Sequence, residues 1–169
     1  LAYFGMQKIN SQPLKSLQAL IEIAGIKSPI SISDVVFYIG PRINAAGRLR
    51  HANESVDLLI SENPVQLRDF AQRLNEVNRK RQNIDQNITE EALRKIDEEL
   101  PNSAKSTVLF NSKWHKGIVG IVASRCIEHY FRPTIILTES NGVATGSARS
   151  VEGFDIHVAL GKCSDLLLQ

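Results

Sequence analysis

Residues 142–150, with the sequence GVATGSARS, place hydroxyl groups on both sides of Arg149. Ser147 and Ser150 can donate hydrogen bonds to oxygen, the glycine lets the backbone approach a ligand, and a guanidinium group matches the oxygens of a phosphate. The same combination also occurs at ordinary surface turns. These residues alone are compatible with either a phosphate-binding segment or an ordinary surface turn.

Residues 40–51, with the sequence GPRINAAGRLRH, concentrate positive charge. The cationic side chains are Arg42, Arg48, Arg50 and His51. No carboxylate lies between Asp34 and Glu54 to neutralise them. The stretch is not typical of the interior of an ordinary helix or strand, and the residues alone leave open which anion meets this charge.

Residues 111–120, with the sequence NSKWHKGIVG, connect a predicted strand to a predicted helix. Unpaired N–H groups at a helix N-terminus attract anions, and Lys113, His115 and Lys116 add positive charge there. Trp114 is a candidate for stacking on a nucleic-acid base. Two structural alternatives stay open, in which Trp114 anchors the edge of the core and His115 caps the helix.

Metal-dependent hydrolysis would need carboxylates and histidines clustered around Mg²⁺ or Mn²⁺, or else a nucleophile beside a base. The sequence shows neither arrangement, and it has no glycine pattern for nucleotide phosphates. His129 and His157 lie in helical patterns where the adjacent carboxylates diverge, so we predict structural roles for them. Cys126 and Cys163 lack metal-ligand spacing and are predicted to be buried free thiols.

The composition is that of a globular protein. Of 169 residues, 43% are hydrophobic and 22% are charged, enough for one compact core or two small ones. No apolar run approaches the roughly 20 residues that span a bilayer, and signal-peptide features are missing, which predicts a cytoplasmic protein without a membrane partner. A net charge of +2 does not by itself indicate nucleic acid. Because residue 1 is Leu and the last helical pattern stops without a cap, we expect a piece of a longer polypeptide.

The first half of the chain predicts helices. A helix over residues 14–24 ends at Gly25, the next runs through residues 34–40 with Ser33 and Asp34 as caps, and a third ends at residue 60 with Asn53 as its cap.

A long helix is predicted from Pro64 to about Glu99, because apolar residues recur at steps of three and four. Its middle, residues 78–83, is polar on nearly all sides. We favour a connector between two domains over a surface helix with one solvated face or a coiled-coil arm.

The second half predicts an α/β arrangement. The predicted strands are residues 106–110, 133–138 and 142–150, and the predicted helices are residues 117–131 and 154–168. A strand, helix and strand joined by short loops imply a right-handed crossover and a parallel strand pair. The third strand is expected to turn at Gly146. The fold class is therefore α/β, with a helical N-terminal segment, a long connector helix and a small mixed sheet.

Three motifs occur in order along the chain, GPRINAAGRL, WHKGIVGIVASRCIEHYFRPTIIL and GSARSVEGFDIHVAL. Together they resemble the RecJ family of single-strand-specific 5′ to 3′ exonucleases, within the DHH phosphoesterase superfamily. The resemblance covers essentially the whole chain. Residues 1–62 resemble the C-terminal helical part of the DHH catalytic domain, residues 63–101 the long connector, and residues 102–169 the N-terminal part of the DHH-associated substrate-binding α/β domain.

The resemblance implies a two-domain enzyme of DNA repair and recombination that holds one DNA strand in a cleft and removes nucleotides with two divalent metals, Mn²⁺ or Mg²⁺. The family's metal-binding Asp and His motifs and its Gly-Gly-His motif do not occur in this sequence. We therefore expect this piece alone to bind no metal and to be inactive. The implied partners are single-stranded DNA and, as further candidates, a helicase and a single-strand-binding protein.

Carried over by motif, the family's terminal-phosphate site falls on Ser147 and Arg149, with Ser150 beside them. The resemblance places Arg42, Asn44 and Arg48 at the wall of the cleft. His115 and Lys116 are further candidates for DNA contact. Which of Arg42, Arg48 and Arg50 contacts DNA, and which braces the catalytic domain through a carboxylate, stays open.

Two other functions remain open. The first is a phosphoesterase of the same superfamily that acts on small nucleotides or short oligonucleotides, although such relatives generally lack so long a connector and the GPRINAAGR element. The second is a non-catalytic module for nucleic-acid binding or protein interaction, with the long helix as a partner surface.

Overall fold

The first part of the chain, up to residue 99, is helical, and the part from residue 107 combines strands with helices, as the sequence pattern predicts. A computed structural model describes residues 1–49, 51–101 and 103–168. The helices are α1 (Ala2–Ser11), α2 (Lys15–Ala24), α3 (Ile32–Asp34), α4 (Gly40–Leu49), α5 (Asn53–Ile60), α6 (Pro64–Glu99), α7 (Val119–Tyr130) and α8 (Ile156–Gly161), with a π-helical turn Val35–Ile39 and a 3-10 turn Ser164–Leu166. The strands are β1 (Thr107–Phe110), β2 (Thr134–Ser140) and β3 (Val143–Arg149). The predicted α/β fold class is confirmed.

Contacts divide the chain into two compact units, Leu1–Gln82 and Asn83–Gln169. Helix α6 contributes residues to both units, and its predicted bounds are confirmed. The division of the chain into three domains at residues 62 and 101 stays a prediction. No helix among the described residues is long and apolar enough to cross a membrane.

Local chemistry determines where α2 ends and where α3 begins. The residue after α2 is Gly25, whose φ of 67° lies in the left-handed region that glycine adopts without strain. The cap of α3 is Ser31, so the predicted caps Ser33 and Asp34 are wrong. The Ser31 hydroxyl accepts the Asp34 amide and the Asp34 carboxylate accepts the Ser31 amide, which satisfies two otherwise unpaired N–H groups.

Residues 40–49 form the regular helix α4, although this stretch was not expected to suit a helix interior. The π-helical turn Val35–Ile39 leads directly into it. Ala45 and Ala46 are fully buried, and such small side chains let the α4 backbone lie close to its neighbours. Packing of this face therefore outweighs the weak helix preference of the glycine-containing sequence.

The core of the first unit joins all of its long helices. Its largest fully buried side chains are Leu20, Ile39, Leu58 and Leu74. The Ser55 hydroxyl of α5 donates to the Ile43 carbonyl oxygen at 2.7 Å and ties α5 to α4. The position before α5 is Ala52, which makes no side-chain cap, so the predicted cap at Asn53 is wrong.

The second unit is built on a mixed sheet of order β1-β2-β3. Strands β1 and β2 are parallel, as predicted, and α7 makes the crossover between them. Strands β2 and β3 form an antiparallel hairpin. Its turn is Asn141 and Gly142, whose φ values of 55° and 76° match the turn that right-handed strand twist favours. Helix α7 packs against β2 and β3.

Strand β3 continues without interruption through Gly146, so the predicted turn there is wrong. Gly146 pairs with Leu137, and a Cβ at position 146 would overlap the Ile136 carbonyl oxygen. The missing side chain therefore permits the close approach of β2 and β3. The last helix is also shorter than predicted, because α8 ends at Gly161 and not at residue 168.

The two cysteines differ, although both were predicted to be buried. Cys126 on α7 is buried, as predicted, whereas Cys163 is exposed, so the prediction for Cys163 is wrong. Position 163 lies between the early end of α8 and the 3-10 turn Ser164–Leu166, where the predicted helix does not continue. Burial raises the pKa of the Cys126 thiol to about 11, even though the Arg132 charge acts in the opposite direction.

We expect alkylating reagents to modify Cys163 and to spare Cys126 in the folded chain. The thiolate is the reactive form, and the raised pKa of Cys126 lowers its thiolate fraction near neutral pH, in addition to the effect of burial on access. Mass spectrometry should show one modified thiol without denaturant and two in denaturant. Equal rates of modification at both cysteines in the native chain would contradict the burial of Cys126.

Candidate functional site

Arg149 lies at the end of β3 with three of its N–H groups held by neighbours. Its Nη1 donates to the Ser147 hydroxyl oxygen and to the Ala148 carbonyl oxygen, both at 2.9 Å. Its Nε donates to the Ser124 hydroxyl oxygen of α7 at 3.1 Å. A guanidinium group carries five N–H donors, so the two on Nη2 remain without a hydrogen bond to any described residue. The guanidinium is thereby fixed in direction with one edge available to a ligand.

The Ser147 hydroxyl is the second available donor of this site. Ser147 and Arg149 are two residues apart on one strand, so their side chains lie on the same face of the sheet. The Ser147 oxygen accepts from Arg149 Nη1, and its own hydrogen has no acceptor among the described residues. Arg149 makes no ion pair with any described carboxylate, so its charge is not neutralised locally.

Two residues of α7, Gly120 and Ser124, complete the surroundings of Arg149. The Ser124 hydroxyl donates to the Gly120 carbonyl oxygen at 3.2 Å while it accepts from Arg149 Nε. A Cβ on Gly120 would lie 3.2 Å from Arg149 Nη2 and 3.2 Å from Ser147 Oγ. Sequence reasoning missed both residues, although their spacing of four on a predicted helix was a usable sign of a shared face.

Ser150 has a different environment from its neighbours Ser147 and Arg149. Its hydroxyl donates to the Phe154 carbonyl oxygen and accepts the Ile156 amide at 3.2 Å. Both interactions hold the loop before α8. Contact of Ser150 with phosphate stays a prediction, and the geometry gives this side chain a role in shaping the loop.

His115 lies in the turn that leads into α7. Its Nδ1 accepts the Gly117 amide at 3.1 Å, and its carbonyl oxygen accepts the amides of Ile118 at 2.9 Å and Val119 at 3.3 Å. The residue before α7 is Ile118, and no side chain caps the helix, so the predicted capping role of His115 is wrong. His115 holds the turn that precedes α7, and these three N–H groups are not available to an anion. Lys116 is exposed. Contact of His115 and Lys116 with DNA stays a prediction.

Trp114 belongs to the core of the second unit. Only 4% of the residue is exposed, and its Nε1 donates to the Glu91 carboxylate of α6 at 2.9 Å. The core-anchor alternative is confirmed, and the buried ring is not accessible for stacking on a base.

In the first unit, Arg42 on α4 is half-buried and held by two neutral acceptors. Its Nε donates to Asn75 Oδ1 of α6 at 3.0 Å, and its Nη1 donates to the Tyr38 carbonyl oxygen at 2.7 Å. Burial lowers the pKa of the Arg42 guanidinium from its ordinary value, and the positive charge of Arg79 lowers it further. Arg42 thus braces α4 through an amide and a carbonyl, whereas the sequence had suggested a carboxylate for such a role.

The other candidate residues of this stretch differ from Arg42 in exposure. Asn44, Arg48 and His51 are exposed, while Arg50 lies outside the described residues. Contact of Asn44 and Arg48 with DNA stays a prediction, as does a cleft shared with the cations of the second unit. Asn75 was missed by sequence reasoning, because nothing in the helical pattern marks one buried asparagine of α6 as an acceptor for arginine.

The part of the chain that the structure describes contains no set of side chains that could form a metal centre. There is no group of three or more His, Cys, Asp or Glu side chains there that could bind an ion. The described residues therefore do not fit the two-metal centre that the family resemblance implies, and we assign them no hydrolytic step.

Comparison with curated proteins finds relatives that all carry the name single-stranded-DNA-specific exonuclease RecJ, while no family model matches the chain. The relative from Bacillus subtilis is 33% identical over 171 residues, which cover 99% of this chain and 22% of the relative. The Escherichia coli relative is 33% identical over 98% of this chain and 30% of its own length. The Thermus thermophilus relative is 32% identical over 98% of this chain and 23% of its own length.

Solved structures show the same similarity. RecJ of Thermus thermophilus in complex with Mg²⁺ has a TM-score of 0.85 and 31% identity, over 98% of this chain and 25% of that one. The corresponding structure with Mn²⁺ also has a TM-score of 0.85, with 32% identity over 98% of this chain. The chain spans between 22% and 30% of the length of the curated relatives that it matches.

Proposed function

Because this chain corresponds to one segment of a RecJ-type exonuclease, we propose that the whole protein is a single-strand-specific exodeoxyribonuclease that degrades DNA from its 5′ end. The proposal rests on relatives that cover nearly all of this chain and are named for that activity. Within it, this chain supplies DNA binding and the grip on the 5′ phosphate. Roles in repair and recombination, and work beside a helicase and a single-strand-binding protein, follow from the same proposal.

One observation carries the role of this chain, namely the fixed guanidinium of Arg149 beside the Ser147 hydroxyl. Two N–H groups of Nη2 and one O–H group face no protein acceptor among the described residues, and no described carboxylate pairs with the arginine. A terminal phosphate offers several oxygens with a charge near −2, and charge-assisted hydrogen bonds to such oxygens are strong. A phosphate end is therefore the ligand that these donors suit.

Divalent metal belongs to the proposal for the whole protein only. The RecJ structures named above contain Mg²⁺ or Mn²⁺. Since the described residues of this chain offer no ligand set, the metal-dependent chemistry would reside elsewhere in the protein. This chain would hold the strand while that chemistry proceeds.

Replacing Arg149 by Ala should weaken binding of a 5′-phosphorylated single strand by about 1.5 to 3 kcal/mol, the range for a hydrogen bond to a charged group. This corresponds to roughly a 10- to 150-fold rise in Kd. Binding of the same strand with a 5′ hydroxyl should change much less. Fluorescence anisotropy with short labelled oligonucleotides measures both values on the 169-residue chain.

Arg94→Ala is the matched control, because it removes the same charge from an exposed position on α6 in the same unit. It should lower binding of both strands slightly and equally, as a general loss of positive charge does. If Arg149→Ala raises the Kd of the phosphorylated and the hydroxyl-ended strand by the same factor, as Arg94→Ala should, Arg149 does not hold the terminal phosphate.

The alternative phosphoesterase differs in its substrate. A strand-degrading enzyme should release nucleotides from long single strands much faster than it cleaves dinucleotides, whereas the small-nucleotide enzyme should show the reverse order. The comparison requires the full-length protein. For this chain by itself, weak and salt-sensitive binding to strands of any sequence would support the DNA-binding role, and salt-insensitive dimerisation would favour the interaction module.

A further inference from the structure

A cavity of about 320 Å³ lies in the second unit, between the C-terminal ends of α6 and α7 and the loop before β1. Its lining combines apolar side chains with charged ones, among them Ile96, Asp97, Leu100, Lys105, Arg132 and Pro133. The volume is at the lower end of the range for small-molecule sites. Neither Ser147 nor Arg149 lines this cavity, so it is separate from the candidate site at the end of β3.

Arg132 is a buried cation in the wall of this cavity. The residue is 8% exposed, its Nε donates to Thr107 Oγ1 at 2.8 Å, and its Nη1 donates to the Ala104 carbonyl oxygen at 3.2 Å. Both acceptors are neutral, and no described carboxylate forms an ion pair with Arg132. Of its five N–H donors, one on Nη1 and both on Nη2 have no acceptor among the described residues. Because an uncompensated buried charge is costly, an anion in the cavity would stabilise this arginine.

Two aromatic residues precede Arg132 and shape the cavity. The guanidinium carbon lies 5.0 Å from the centre of the Tyr130 ring, a cation–π contact that helps to fix the guanidinium. Phe131 lines the cavity and is 80% exposed, so its ring is at the rim. Its φ of 52° lies in the left-handed region, which is uncommon for a bulky residue and concentrates at ligand sites.

The other charged residues of the cavity are Asp97 and Lys105. The Asp97 carboxylate accepts the Tyr130 hydroxyl at 2.6 Å and is thereby held by the protein. Lys105 is exposed and has no carboxylate partner in the described part of the chain. Two cations against one carboxylate leave positive charge in excess, which favours an anionic ligand.

We propose that this cavity binds a nucleoside monophosphate, with the phosphate on Arg132 and Lys105 and the base against the Phe131 ring. A guanidinium matches the oxygens of a phosphate, and an aromatic ring accepts any base by stacking. The choice of a nucleotide among phosphate esters rests on the proposed function, because nucleoside monophosphates are what such an exonuclease releases. Since the cavity is separate from Arg149, a released nucleotide can bind there without displacing the end of the strand.

The test is titration of 2′-deoxyadenosine 5′-monophosphate (dAMP) into the 169-residue chain that carries Arg149→Ala, which removes the other candidate phosphate site. Isothermal titration calorimetry measures Kd. We expect saturable binding of dAMP, with deoxyadenosine and inorganic phosphate each binding at least about tenfold more weakly, because each lacks one of the two contacts. Equal affinity for dAMP and deoxyadenosine overturns the anion site. Equal affinity for dAMP and inorganic phosphate overturns the nucleotide as its ligand.

Substitutions in the same Arg149→Ala chain locate the ligand. Phe131→Ala and Lys105→Ala change exposed side chains and should raise the Kd of dAMP about tenfold and about threefold. Lys162→Ala is the matched control, because Lys162 is an exposed lysine of the same unit that does not line the cavity, and it should leave the Kd unchanged.

Arg132→Gln should raise the Kd of dAMP by about tenfold or more, because it removes the buried charge. If circular dichroism shows that this variant does not fold, Phe131→Ala and Lys105→Ala decide the question. Unchanged dAMP binding in these two folded variants overturns the site.

The nucleotide site and the proposed grip on the strand end can fail separately. If the parent chain binds 5′-phosphorylated and hydroxyl-ended strands equally, while dAMP binding is lost in Phe131→Ala, the strand-end role is wrong and the nucleotide site is supported. If the parent prefers the phosphorylated strand but dAMP does not bind the Arg149→Ala chain, only the nucleotide site is wrong.

Discussion

Gly146→Ala should destabilise the second unit by roughly 3 kcal/mol or more, at the upper end of the cost of overpacking. A Cβ at this position would overlap the Ile136 carbonyl oxygen and lie 2.9 Å from the Leu137 Cα. Both are backbone atoms of β2, so no side-chain rotation relieves the clash. Strand β3 must move away from β2, which disrupts their antiparallel pairing around Gly146 and Leu137.

Urea denaturation followed by circular dichroism measures this loss, with Gly161→Ala as the control. A Cβ on Gly161 meets nothing within 4 Å, and the residue lies at the end of α8 in the same unit. Gly161→Ala should change the free energy of unfolding by less than about 1 kcal/mol. Because β3 also carries Ser147 and Arg149, Gly146→Ala should lose the phosphate preference together with its stability. A Gly146→Ala chain as stable as the parent would show that β2 and β3 are not paired in this register.

Trp114→Ala should cost about 3 to 5 kcal/mol of unfolding free energy, the range for truncating a buried Trp or Phe. The ring is almost fully buried, its Nε1 donates to Glu91, and the Trp114 carbonyl oxygen accepts from Thr138 Oγ1 at 2.6 Å. Truncation leaves a cavity and removes the indole donor from one Glu91 oxygen. The other Glu91 oxygen keeps its bond from Asn111 Nδ2 at 2.7 Å.

Trp114→Phe separates the two contributions, since it fills much of the cavity and still removes the indole donor. We expect an intermediate loss of stability for this variant. Phe131→Ala is the control, because Phe131 is an aromatic residue of the same unit that is 80% exposed. It should change the free energy of unfolding by no more than about 0.5 kcal/mol. Equal losses for Trp114→Ala and Phe131→Ala would contradict the burial of the indole ring.

Elements with a long or strong local pattern could be predicted from the sequence. Helix α6 has an apolar residue every three or four positions and a capped start at Asn63 and Pro64, and the parallel pair of β1 and β2 follows from strand, helix and strand order. Helix α4 could not be predicted, because it depends on burial of Ala45 and Ala46 by other helices. Helix propensity is a weak guide where tertiary packing determines whether a segment becomes a helix.

Only two of the four residues around the candidate site could be predicted from the sequence. Ser147 and Arg149 stand two apart on a strand, and this spacing alone puts them on one face. Ser124 and Gly120 join them only after the chain has crossed from α7 through β2 and returned along β3. Gly146 was taken for a turn, because a glycine that permits close approach of two strands has the same local appearance as one that ends a strand.

The neutral contacts of Arg42 have a consequence for the approach of anions to this part of the first unit. Asn75 and the Tyr38 carbonyl fix the direction of this guanidinium, but neither cancels its charge. Even with a lowered pKa, an arginine side chain stays protonated at physiological pH. Its potential extends about 8 Å into solution at physiological ionic strength. A polyanion approaching this face is thus attracted before any contact forms, which favours fast encounter over long residence.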